Sequence, residues 1–466
     1  MSPTISEIQQ LGIVGAGGAG FPTHVKLQAR PEYLILNAAE CEPLLHKDKE
    51  LLLHHADQVL EGFRIAMSLT QAAQGVIGIK AKHRSLIENL GQKLSGSLRI
   101  EPVGDFYPAG DELTLIHLTT GRIVPPGALP IQVGCIVQNV ETMYNLASNA
   151  PVTEKWLTVA GAVSEPATIR VPIGTSFRDV LSHFRISARR FIVRSGGLMM
   201  GTLEDDLDAP VAKTVGALIV LPSDHPLAAV YRRYASKQNT VRTAKSSCDQ
   251  CIFCTELCPR YLLGHPVRPD IAMRNLMFGG LVEAGDPAGA EGPVGIEGLV
   301  EARDPVSREA AGRIGGLHPG NAFCCECNLC TLYACPESLD PKGAATIEKK
   351  ALRSKPLKWE GLPPRPHPML PYRKVPTSRL KQRLGLTGFR DEGPTVSVEI
   401  KPDKVRLPLL QHLGKPSVAV VQKGERVTKG QTVARADGTV SVDLHASIEG
   451  RVAEVRANEI IIQRTS

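Results

Sequence analysis

Residues 1–150 alternate short apolar runs with amphipathic stretches. The continuous run Tyr33–Leu36 ends in the polar residues Asn37 and Glu40, which predicts a buried strand followed by a loop. A stretch with helical periodicity follows at about 48–73. Further strands are predicted in "GVIGIKAKH", "RIEPV" and "VGCIV". This alternation predicts an α/β fold with a mostly parallel sheet, and such sheets bind ligands where their strands end.

The rest of the chain shows four different patterns. Residues 151–215 predict short strands around one helix, Phe177–Phe184, and residues 240–350 carry most of the cysteines. Residues 351–394 are basic and proline-rich, and "KPLKWEGLPPRPHPMLPYRKVP" is too dense in proline for a helix. Residues 395–466 alternate short strands with turns. The chain is therefore expected to contain several domains joined by a linker.

Composition argues against several classes of protein. Aromatic residues make up only 4% of the 466 residues, which argues against a nucleic-acid platform built on base stacking. No apolar run approaches the ~18 residues of a membrane helix, and "MSPTISEIQQ" lacks the features of a secretory signal, so a cytoplasmic protein is expected. Much of the net charge of +7 is local to 349–390, where a solvated linker is favoured over a site for an acidic partner.

Nine of the eleven cysteines lie in two short motifs. "SCDQCIFCTELCPR" reads C-x2-C-x2-C-x3-C-P, and "FCCECNLCTLYACPE" reads C-x2-C-x2-C-x4-C-P. Disulfides are not expected in a reducing compartment. In a 4Fe–4S site of this spacing, three cysteines hold one cluster. The fourth opens a helix and reaches the neighbouring cluster.

This spacing predicts two clusters with crossed ligands. The first set is Cys248, Cys251, Cys254 and Cys335, and the second set is Cys324, Cys327, Cys330 and Cys258. Zinc is the alternative, but zinc sites usually carry two separated C-x2-C pairs. Cys325 is left over. It is the alternative to Cys324 as a ligand, but the x2 spacing favours Cys324, so a spare thiol beside the cluster is expected for Cys325. Residues 279–315 predict a loop or insertion within a helical ferredoxin-like module.

A glycine-rich loop stands close to the start of the chain. "GIVGAGGAGFPTHVKL" contains Gly15-x-Gly17-x-x-Gly20, the spacing of a dinucleotide-binding loop. A Rossmann loop should follow a buried strand and open directly into a helix. Only "GIV" precedes Gly15, and Pro22 follows Gly20 by two residues, so a Rossmann fold is not favoured.

Four blocks taken together resemble a known group of flavoproteins. "GAGGAGFPTHVK", "NAAECEP", "YPAGDE" and "QNVET" are similar to the FMN- and NADH-binding blocks of the flavoprotein subunit of respiratory complex I. They resemble more closely the RnfC component of the Rnf complex and the PduS-type cobalamin reductases. The resemblance implies that FMN and NADH bind at Gly15, Gly17, Gly18, Gly20, Lys26, Asn37, Glu40, Tyr107, Gly110, Asp111, Glu112, Asn139 and Thr142. Lys26 is expected to pair with a phosphate.

The later stretches resemble domains found in the same families. Residues 151–215, with "SGGLMMG", resemble the ubiquitin-like SLBB (β-grasp) domain, and "KGERVTKGQ" and "HASIEGRV" resemble turns of a barrel-sandwich hybrid domain. The central turn "RADGTVSVDLHAS" has no lysine for a swinging arm, so a docking or structural module is predicted. RnfC proteins carry this domain before their glycine loop. Here it comes last, at 395–466, which favours the PduS-type pattern.

The resemblance implies an NADH-dependent cobalamin reductase. Electrons would pass from NADH through FMN and two 4Fe–4S clusters to cobalamin, with no catalytic acid–base pair. The sequence has no D-x-H-x-x-G, so cobalamin is expected as a visiting substrate. An adenosyltransferase or shell proteins of a propanediol-utilising microcompartment are the implied partners, and no nucleic acid or transmembrane segment is expected. The alternatives are an Rnf-like electron-transport protein with a protein acceptor and a non-enzymatic iron–sulfur adaptor.

Overall fold

The computed structural model describes residues 2–278, 317–353, 357, 359, 361 and 363–465. The chain forms two compact units. The first consists of Met1–Arg122, Pro130–Ala228 and Gly385–Ser466, and the second consists of Ile123–Leu129 and Ala229–Leu384. The insertion predicted at 279–315 lies outside the described residues.

The first domain of the first unit is built on a parallel sheet. Its strands follow the order β3-β2-β1-β5, and each neighbouring pair is parallel, as predicted. The elements of this domain in chain order are α1 (Ile5–Gln10), α2 (Thr23–Leu27), β1 (Tyr33–Ala38), α3 (Lys47–His54), α4 (Ala56–Thr70), β2 (Gln74–Lys80), α5 (Arg84–Gly91), β3 (Leu98–Val103), β4 (Phe106–Tyr107), α6 (Glu112–Thr120), a 3₁₀ turn (Pro130–Val133), β5 (Cys135–Asn139) and α7 (Val140–Ser148).

The helix predicted over about 48–73 is two helices, so that prediction is wrong in one respect. His55 lies between α3 and α4 with a non-helical backbone (φ −133°, ψ 31°). Its ring packs against Tyr144 and Trp156, with ring centroids 5.3 and 5.5 Å apart. The hydrophobic period continues through the break because Leu52 and Val59 both face the same core.

The second domain is a five-stranded mixed sheet with one helix. Its strand order is β7-β6-β10-β8-β9, in which β6 and β10 are parallel and the other pairs are antiparallel. Its elements are β6 (Glu154–Gly161), β7 (Ala167–Pro172), α8 (Phe177–Ser182), β8 (Phe191–Ser195), β9 (Thr202–Glu204) and β10 (Ala217–Pro222). Helix α8 begins at the N-cap Ser176, whose side chain accepts from the amide of Asp179 at 3.0 Å.

The second unit is mainly helical in its described part. Its elements, with α9 crossing into it from the first unit, are α9 (Pro226–Tyr234), α10 (Lys237–Ser247), α11 (Phe253–Glu256), α12 (Pro259–Leu262), α13 (Pro269–Met277), a 3₁₀ turn (Pro319–Phe323), a π-helical turn (Cys330–Ala334), α14 (Pro341–Leu352), β11 (Val375–Pro376) and α15 (Thr377–Arg383). Its core packs α10, α13 and α14 around the cysteine loops, through Ala244, Met273 and Ala345 among others.

The segment predicted as a linker, 351–394, contains regular structure. Helix α14 ends inside it, and α15 lies wholly within it. Just beyond α15, Phe389 packs against the core of the second domain, and Thr395 forms a bridge with Thr168 of β7. The proline-dense stretch itself contains no helix among its described residues, as predicted, and the helices α14 and α15 lie on either side of it.

The C-terminal domain consists of two small sheets that enclose one core. Their strand orders are β12-β18-β17-β14 and β13-β15-β16. The strands are β12 (Lys404–Pro408), β13 (Val418–Ala419), β14 (Arg426–Val427), β15 (Thr432–Arg435), β16 (Leu444–His445), β17 (Gly450–Val455) and β18 (Glu459–Arg464). Val405, Val433 and Ile460 are fully buried between the sheets.

Candidate functional site

The glycine-rich loop connects α1 to α2 and does not follow a strand of the sheet, as predicted. An isolated bridge joins Val14 to Pro22, and the amide of Gly15 donates to the carbonyl of Phe21 at 2.9 Å. The loop is therefore a closed turn whose tip includes the exposed residues Gly17 and Gly18.

Two glycines of this region are required by close packing. A Cβ atom on Gly12 (φ +71°) would lie 2.5 Å from the carbonyl oxygen of Asp443 and 2.6 Å from Nζ of Lys213. A Cβ atom on Gly20 (φ +65°) would lie 2.8 Å from the side chain of Thr214. Both backbone conformations also favour glycine. The second and C-terminal domains of the same unit therefore pack against the loop at Gly12 and Gly20.

The glycines at the front of the loop have open space beside them. A Cβ atom on Gly15 would approach no protein atom more closely than 3.5 Å, and one on Gly18 would meet nothing within 4 Å. The fold of the chain therefore does not by itself require glycine at position 15. A phosphate or a flavin ring lying close against the backbone would require glycine there.

Two asparagines predicted for the site end neighbouring strands of the sheet. Asn37, at the end of β1, donates to the carbonyl of Gly110 at 2.8 Å and accepts from the amide of Ala39 at 3.2 Å. Asn139, at the end of β5, accepts from the amide of Glu141 at 3.0 Å. Parallel strands bring both residues to the same edge of the sheet.

The block Tyr107–Glu112 lies next to Asn37, whose side chain donates to the carbonyl of Gly110. Tyr107 is buried, and Asp111 caps α6 by accepting from the amide of Thr114 at 3.0 Å. Glu112 forms an ion pair of 2.9 Å with Lys26. Lys26, expected to face a phosphate, therefore already has a carboxylate partner.

Thr142 is buried and supports the loop from within the domain. Its hydroxyl accepts from the amide of Ala16 at 3.0 Å. Its side chain is 0% exposed, so Thr142 contacts the loop from inside the domain.

The first set of cysteines comes together in the second unit. One cavity is lined by all four of its members, Cys248, Cys251, Cys254 and Cys335, together with Pro336. Cys335 belongs to the second motif, so the two motifs both contribute to this cavity. Thiolates in this arrangement suit a 4Fe–4S cluster.

The second set of cysteines is more deeply buried. Cys258, Cys324, Cys327 and Cys330 are each 6–9% exposed. Burial raises the pKa of Cys258, and the thiols of Cys325 and Cys324 raise it further. A hydrogen bond with Cys325 raises the pKa of Cys327, so Cys325 lies beside this set. Bound iron would reverse these shifts by stabilising the thiolates.

The two cysteine motifs share one backbone conformation. In each, the residues before and after the second cysteine have positive φ: Gln250 (57°) and Ile252 (59°) in the first motif, Glu326 (58°) and Asn328 (65°) in the second. The two motifs are therefore structural repeats of one loop.

A threonine next to the third cysteine of each motif extends this repeat. Thr255 donates from its hydroxyl to Asp270 in the first turn of α13. Thr331 donates to Asp340, the N-cap of α14, at 3.0 Å. Each pair fastens a cysteine loop to the helix that packs behind it.

Comparisons with known proteins agree with this geometry. Residues 8–148 match the Nuo51 FMN-binding domain, residues 247–340 match a 4Fe–4S dicluster domain, and residues 392–465 match the RnfC barrel sandwich hybrid domain. The predicted multidomain α/β organisation with these three domains is confirmed, and FMN and two 4Fe–4S clusters are its cofactors.

The similarity to one relative extends over the whole chain. The chain is 40% identical to "Cobalamin reductase PduS" of Salmonella typhimurium strain LT2, over 100% of this chain and 98% of that protein. The chain belongs to the PduS cobalamin reductase family. It is also 38% identical to PduS of Citrobacter freundii over 99% of this chain and 96% of that protein. A component of the proton-translocating ferredoxin:NAD(+) oxidoreductase complex of Clostridium ljungdahlii is 36% identical over 55% of each chain.

Sequence reasoning missed a buried group of charges next to Asn139, at the strand edge of this PduS-family protein. Lys47 donates to Asp48 at 2.6 Å and to Glu141 at 3.0 Å, and Lys155 also donates to Glu141. Asp48 in turn accepts from Asn139 at 2.7 Å. A lysine inside the apolar strand sequence "EKWLTVAG" was the one signal available.

Burial and charge pairing act in opposite directions in this group. Burial alone would raise the pKa of Glu141, but the ammonium groups of Lys155 and Lys47 lower it below its ordinary value. Burial lowers the pKa of Lys155 to about 8. The carboxylate of Glu141 is therefore paired with two buried ammonium groups. Removing it would leave Lys155 without its main counter-charge and Lys47 with Asp48 as its remaining close partner.

Two acidic residues of the "NAAECEP" block in this PduS-family chain are held at the domain edge. Burial raises the pKa of Glu40 to about 8 and that of Glu42 to about 7. Glu42 accepts from the amides of Met199 and Met200 at 2.9 and 2.8 Å, which fastens the "SGGLMMG" turn to the first domain. The role of Glu42 was not predicted, because its partners lie 157 and 158 residues away.

None of the helices in the described ranges has both the length and the apolar character needed to cross a bilayer.

Proposed function

We propose that this protein transfers electrons from NADH, through FMN and two 4Fe–4S clusters, to cobalamin. The full-length match to PduS cobalamin reductases is the observation that carries the proposal. The reaction balances as NADH plus two cob(III)alamin giving NAD⁺, H⁺ and two cob(II)alamin, and a further electron would give cob(I)alamin. The protein is accordingly an oxidoreductase.

Bound FMN supplies the exchange between hydride transfer and single-electron transfer. The residues proposed to hold FMN and NADH are Gly15, Gly17, Gly18, Gly20, Lys26, Asn37, Glu40, Tyr107, Gly110, Asp111, Glu112, Asn139 and Thr142. The open space at Gly15 and Gly18 and the shared strand edge of Asn37 and Asn139 support this assignment. The buried positions of Tyr107 and Thr142 support a positioning role for those two.

The cluster ligands are proposed as two crossed sets. Cys248, Cys251, Cys254 and Cys335 would hold one cluster, and Cys324, Cys327, Cys330 and Cys258 the other. The cavity shared by the first set supports the crossing. A proline after the fourth cysteine of each motif, Pro336 and Pro259, supports the turn away from the loop that the crossing needs.

The domain bounds are proposed as 1–150 for the FMN/NADH domain, 151–215 for an SLBB (β-grasp) domain, 240–350 for the 4Fe–4S module, 351–394 for a basic linker and 395–466 for the barrel-sandwich domain. The barrel-sandwich domain is proposed as a docking or structural module. In the second domain, the first strand, β6, and the last strand, β10, are parallel neighbours at the centre of the sheet. This arrangement supports an SLBB-type β-grasp fold. The close approach of Asp443 and His412 to the glycine loop supports a buttressing role for the barrel-sandwich domain.

The setting is proposed to be the cytoplasm, inside a bacterial microcompartment that uses propanediol. Adenosyltransferase and shell proteins are the partners proposed there. The resemblance of the whole chain to PduS-type reductases supports this setting.

The test is anaerobic purification, followed by counting iron and flavin and by assaying NADH oxidation with cob(III)alamin or with a generic dye. The proposal predicts bound FMN, about eight irons and NADH-dependent cobalamin reduction. Dye reduction without cobalamin reduction would instead favour the Rnf-like function, which the match to the Clostridium ljungdahlii protein over 55% of the chain makes the second candidate. Absence of FMN would contradict both.

A further inference from the structure

An exposed apolar surface lies at the edge of the first cysteine set. Residues 249–253 are all exposed, and they include the ligand Cys251. Ile252 is 37% exposed and Phe253 is 50% exposed. We call residues 249–253, with the neighbouring Pro336 and Glu337, the cluster-edge surface. Most of these residues line the cavity that the four cysteines share.

The second cysteine motif provides an internal comparison, because it repeats the same backbone. Its residue equivalent to Phe253 is Leu329, which is only 2% exposed, and its ligand equivalent to Cys251 is Cys327, which is 6% exposed. The same loop is thus covered in one motif and open in the other. The loop conformation alone therefore does not explain why an aromatic side chain is exposed at Phe253.

Ile252 is also an unfavourable residue for its backbone. A β-branched side chain at φ +59° is a strong outlier, whereas Asn328, at the equivalent position with φ +65°, is a residue that tolerates this region. The strain and the exposure of Ile252 both count against stability. Strained residues of this kind cluster at sites that contact ligands or partners.

We propose that the cluster-edge surface is where cobalamin docks and accepts its electron, with Ile252 and Phe253 packing against the corrin ring. This inference rests on the proposed function. Electron transfer slows steeply with distance, so the acceptor must approach an exposed cluster ligand, and Cys251 is exposed whereas the four cysteines of the second set are buried. Each docked cob(III)alamin takes one electron and becomes cob(II)alamin, and NADH is the electron source.

Charge and chemistry suit this occupant. A corrin ring has broad apolar faces, which match an aromatic and a branched aliphatic side chain. Two exposed carboxylates, Asp249 and Glu337, border the surface, and aquacob(III)alamin is a cation. Opposite charge at the rim favours encounter, and the apolar centre favours contact.

The test compares Ile252→Asn and Phe253→Ser, singly and together, with wild type. Ile252→Asn places the residue type of the second motif on the same backbone, so the loop should fold. Tyr372→Ser is the matched control, because Tyr372 is 79% exposed in the same unit and lies outside the cluster-edge surface. Iron and flavin content and the EPR spectrum of the reduced protein establish that each variant carries both clusters.

Two readouts are measured on each protein. The KM for cob(III)alamin should rise about tenfold or more in the double variant, which corresponds to about 1.4 kcal/mol per factor of ten. Equilibrium binding of hydroxocobalamin to the oxidised protein without NADH should weaken by a similar factor. The control should match wild type in both.

The outcomes separate this inference from the proposed function. Wild-type protein that reduces cobalamin, with variants of unchanged KM and unchanged binding, would overturn the docking surface and leave the function intact. That result would instead favour a protein partner as the molecule that binds this surface. Wild-type protein that neither binds nor reduces cobalamin would overturn both.

Discussion

Nζ of Lys213 donates a hydrogen bond of 2.7 Å to the carbonyl oxygen of Gly12, at the start of the glycine loop and 201 residues earlier in the chain. The same amine lies 3.3 Å from the carbonyl oxygen of Asp443 in the C-terminal domain. One buried side chain thus joins the loop to two later domains. The position of the glycine loop therefore depends on three domains of the first unit and not on the first domain alone.

Substitutions in the glycine loop should divide into two classes. Gly12→Ala and Gly20→Ala should destabilise the protein by more than about 1 kcal/mol, because each adds a Cβ atom against packed atoms at positive φ. Gly15→Ala should leave the melting temperature of the FMN-free protein unchanged and weaken FMN binding. Differential scanning fluorimetry and flavin fluorescence measure the two effects. Full FMN affinity in Gly15→Ala would remove Gly15 from the site.

Lys213 predicts a pH dependence of stability. Burial lowers its pKa to about 7 from the ordinary 10.5. Between these two values the folded protein binds fewer protons than the unfolded chain, so this residue makes the free energy of unfolding rise with pH. The melting temperature of wild type relative to Lys213→Met should therefore increase from pH 7 to pH 9.

The exposed lysine Lys415, with a side chain that is 70% exposed, supplies the control. Lys415→Met should show no such change relative to wild type over the same range. A pH-independent difference between wild type and Lys213→Met would mean that Lys213 is charged in the folded protein.

The sequence predicted the elements whose signals are local. The run Tyr33–Leu36 is inside β1, and the C-P cysteine motifs form the expected loops, because apolar continuity and fixed spacing are properties of short segments. Nothing nearby in the sequence shows that Lys26 pairs with Glu112, 86 residues away. The expected contact of Lys26 with a phosphate stays a prediction.

The parts that could not be predicted depend on tertiary proximity. Glu141 could be placed at a strand end, but its two lysine partners, Lys47 and Lys155, come from α3 and β6. The break at His55 follows from packing against rings in α7 and β6. Such contacts form only when the domains have folded and packed together, so periodicity and motif spacing cannot predict them.

Glu141 should be a strong stability determinant. Glu141→Gln keeps the shape but leaves the ammonium groups of Lys47 and Lys155 without their shared carboxylate. We expect a loss of about 3–5 kcal/mol, the range for breaking a buried ion pair. Chemical denaturation monitored by tryptophan fluorescence suits the test, because Trp156 adjoins Glu141.

The matched control for Glu141 is the exposed pair of Asp57 and Lys93. Asp57→Asn breaks an ion pair whose carboxylate is 82% exposed and should cost at most about 1 kcal/mol. Equal effects of the two substitutions would show that the buried group contributes no more than a surface pair.

The crossed ligand sets predict which cysteine variants should lose the same cluster and therefore share an EPR spectrum. Cys254→Ser and Cys335→Ser should each remove the same cluster, lowering iron from about eight to about four, and should give the same EPR spectrum. Cys258→Ser should instead share its spectrum with Cys327→Ser. Cys325→Ser should retain both clusters. A spectrum of Cys335→Ser that matches Cys327→Ser would show that the ligands are not crossed.

The central claim is that one chain carries electrons from NADH to cobalamin, and a single-turnover titration tests it most directly. The anaerobic protein is reduced with NADH, and flavin absorbance and cluster EPR are recorded before and after cob(III)alamin is added. The account predicts that flavin and both clusters become reduced, and that cob(III)alamin then reoxidises them with two cob(II)alamin formed for each NADH consumed. Clusters that stay oxidised after NADH, or reduced clusters that cob(III)alamin leaves unchanged, would contradict it.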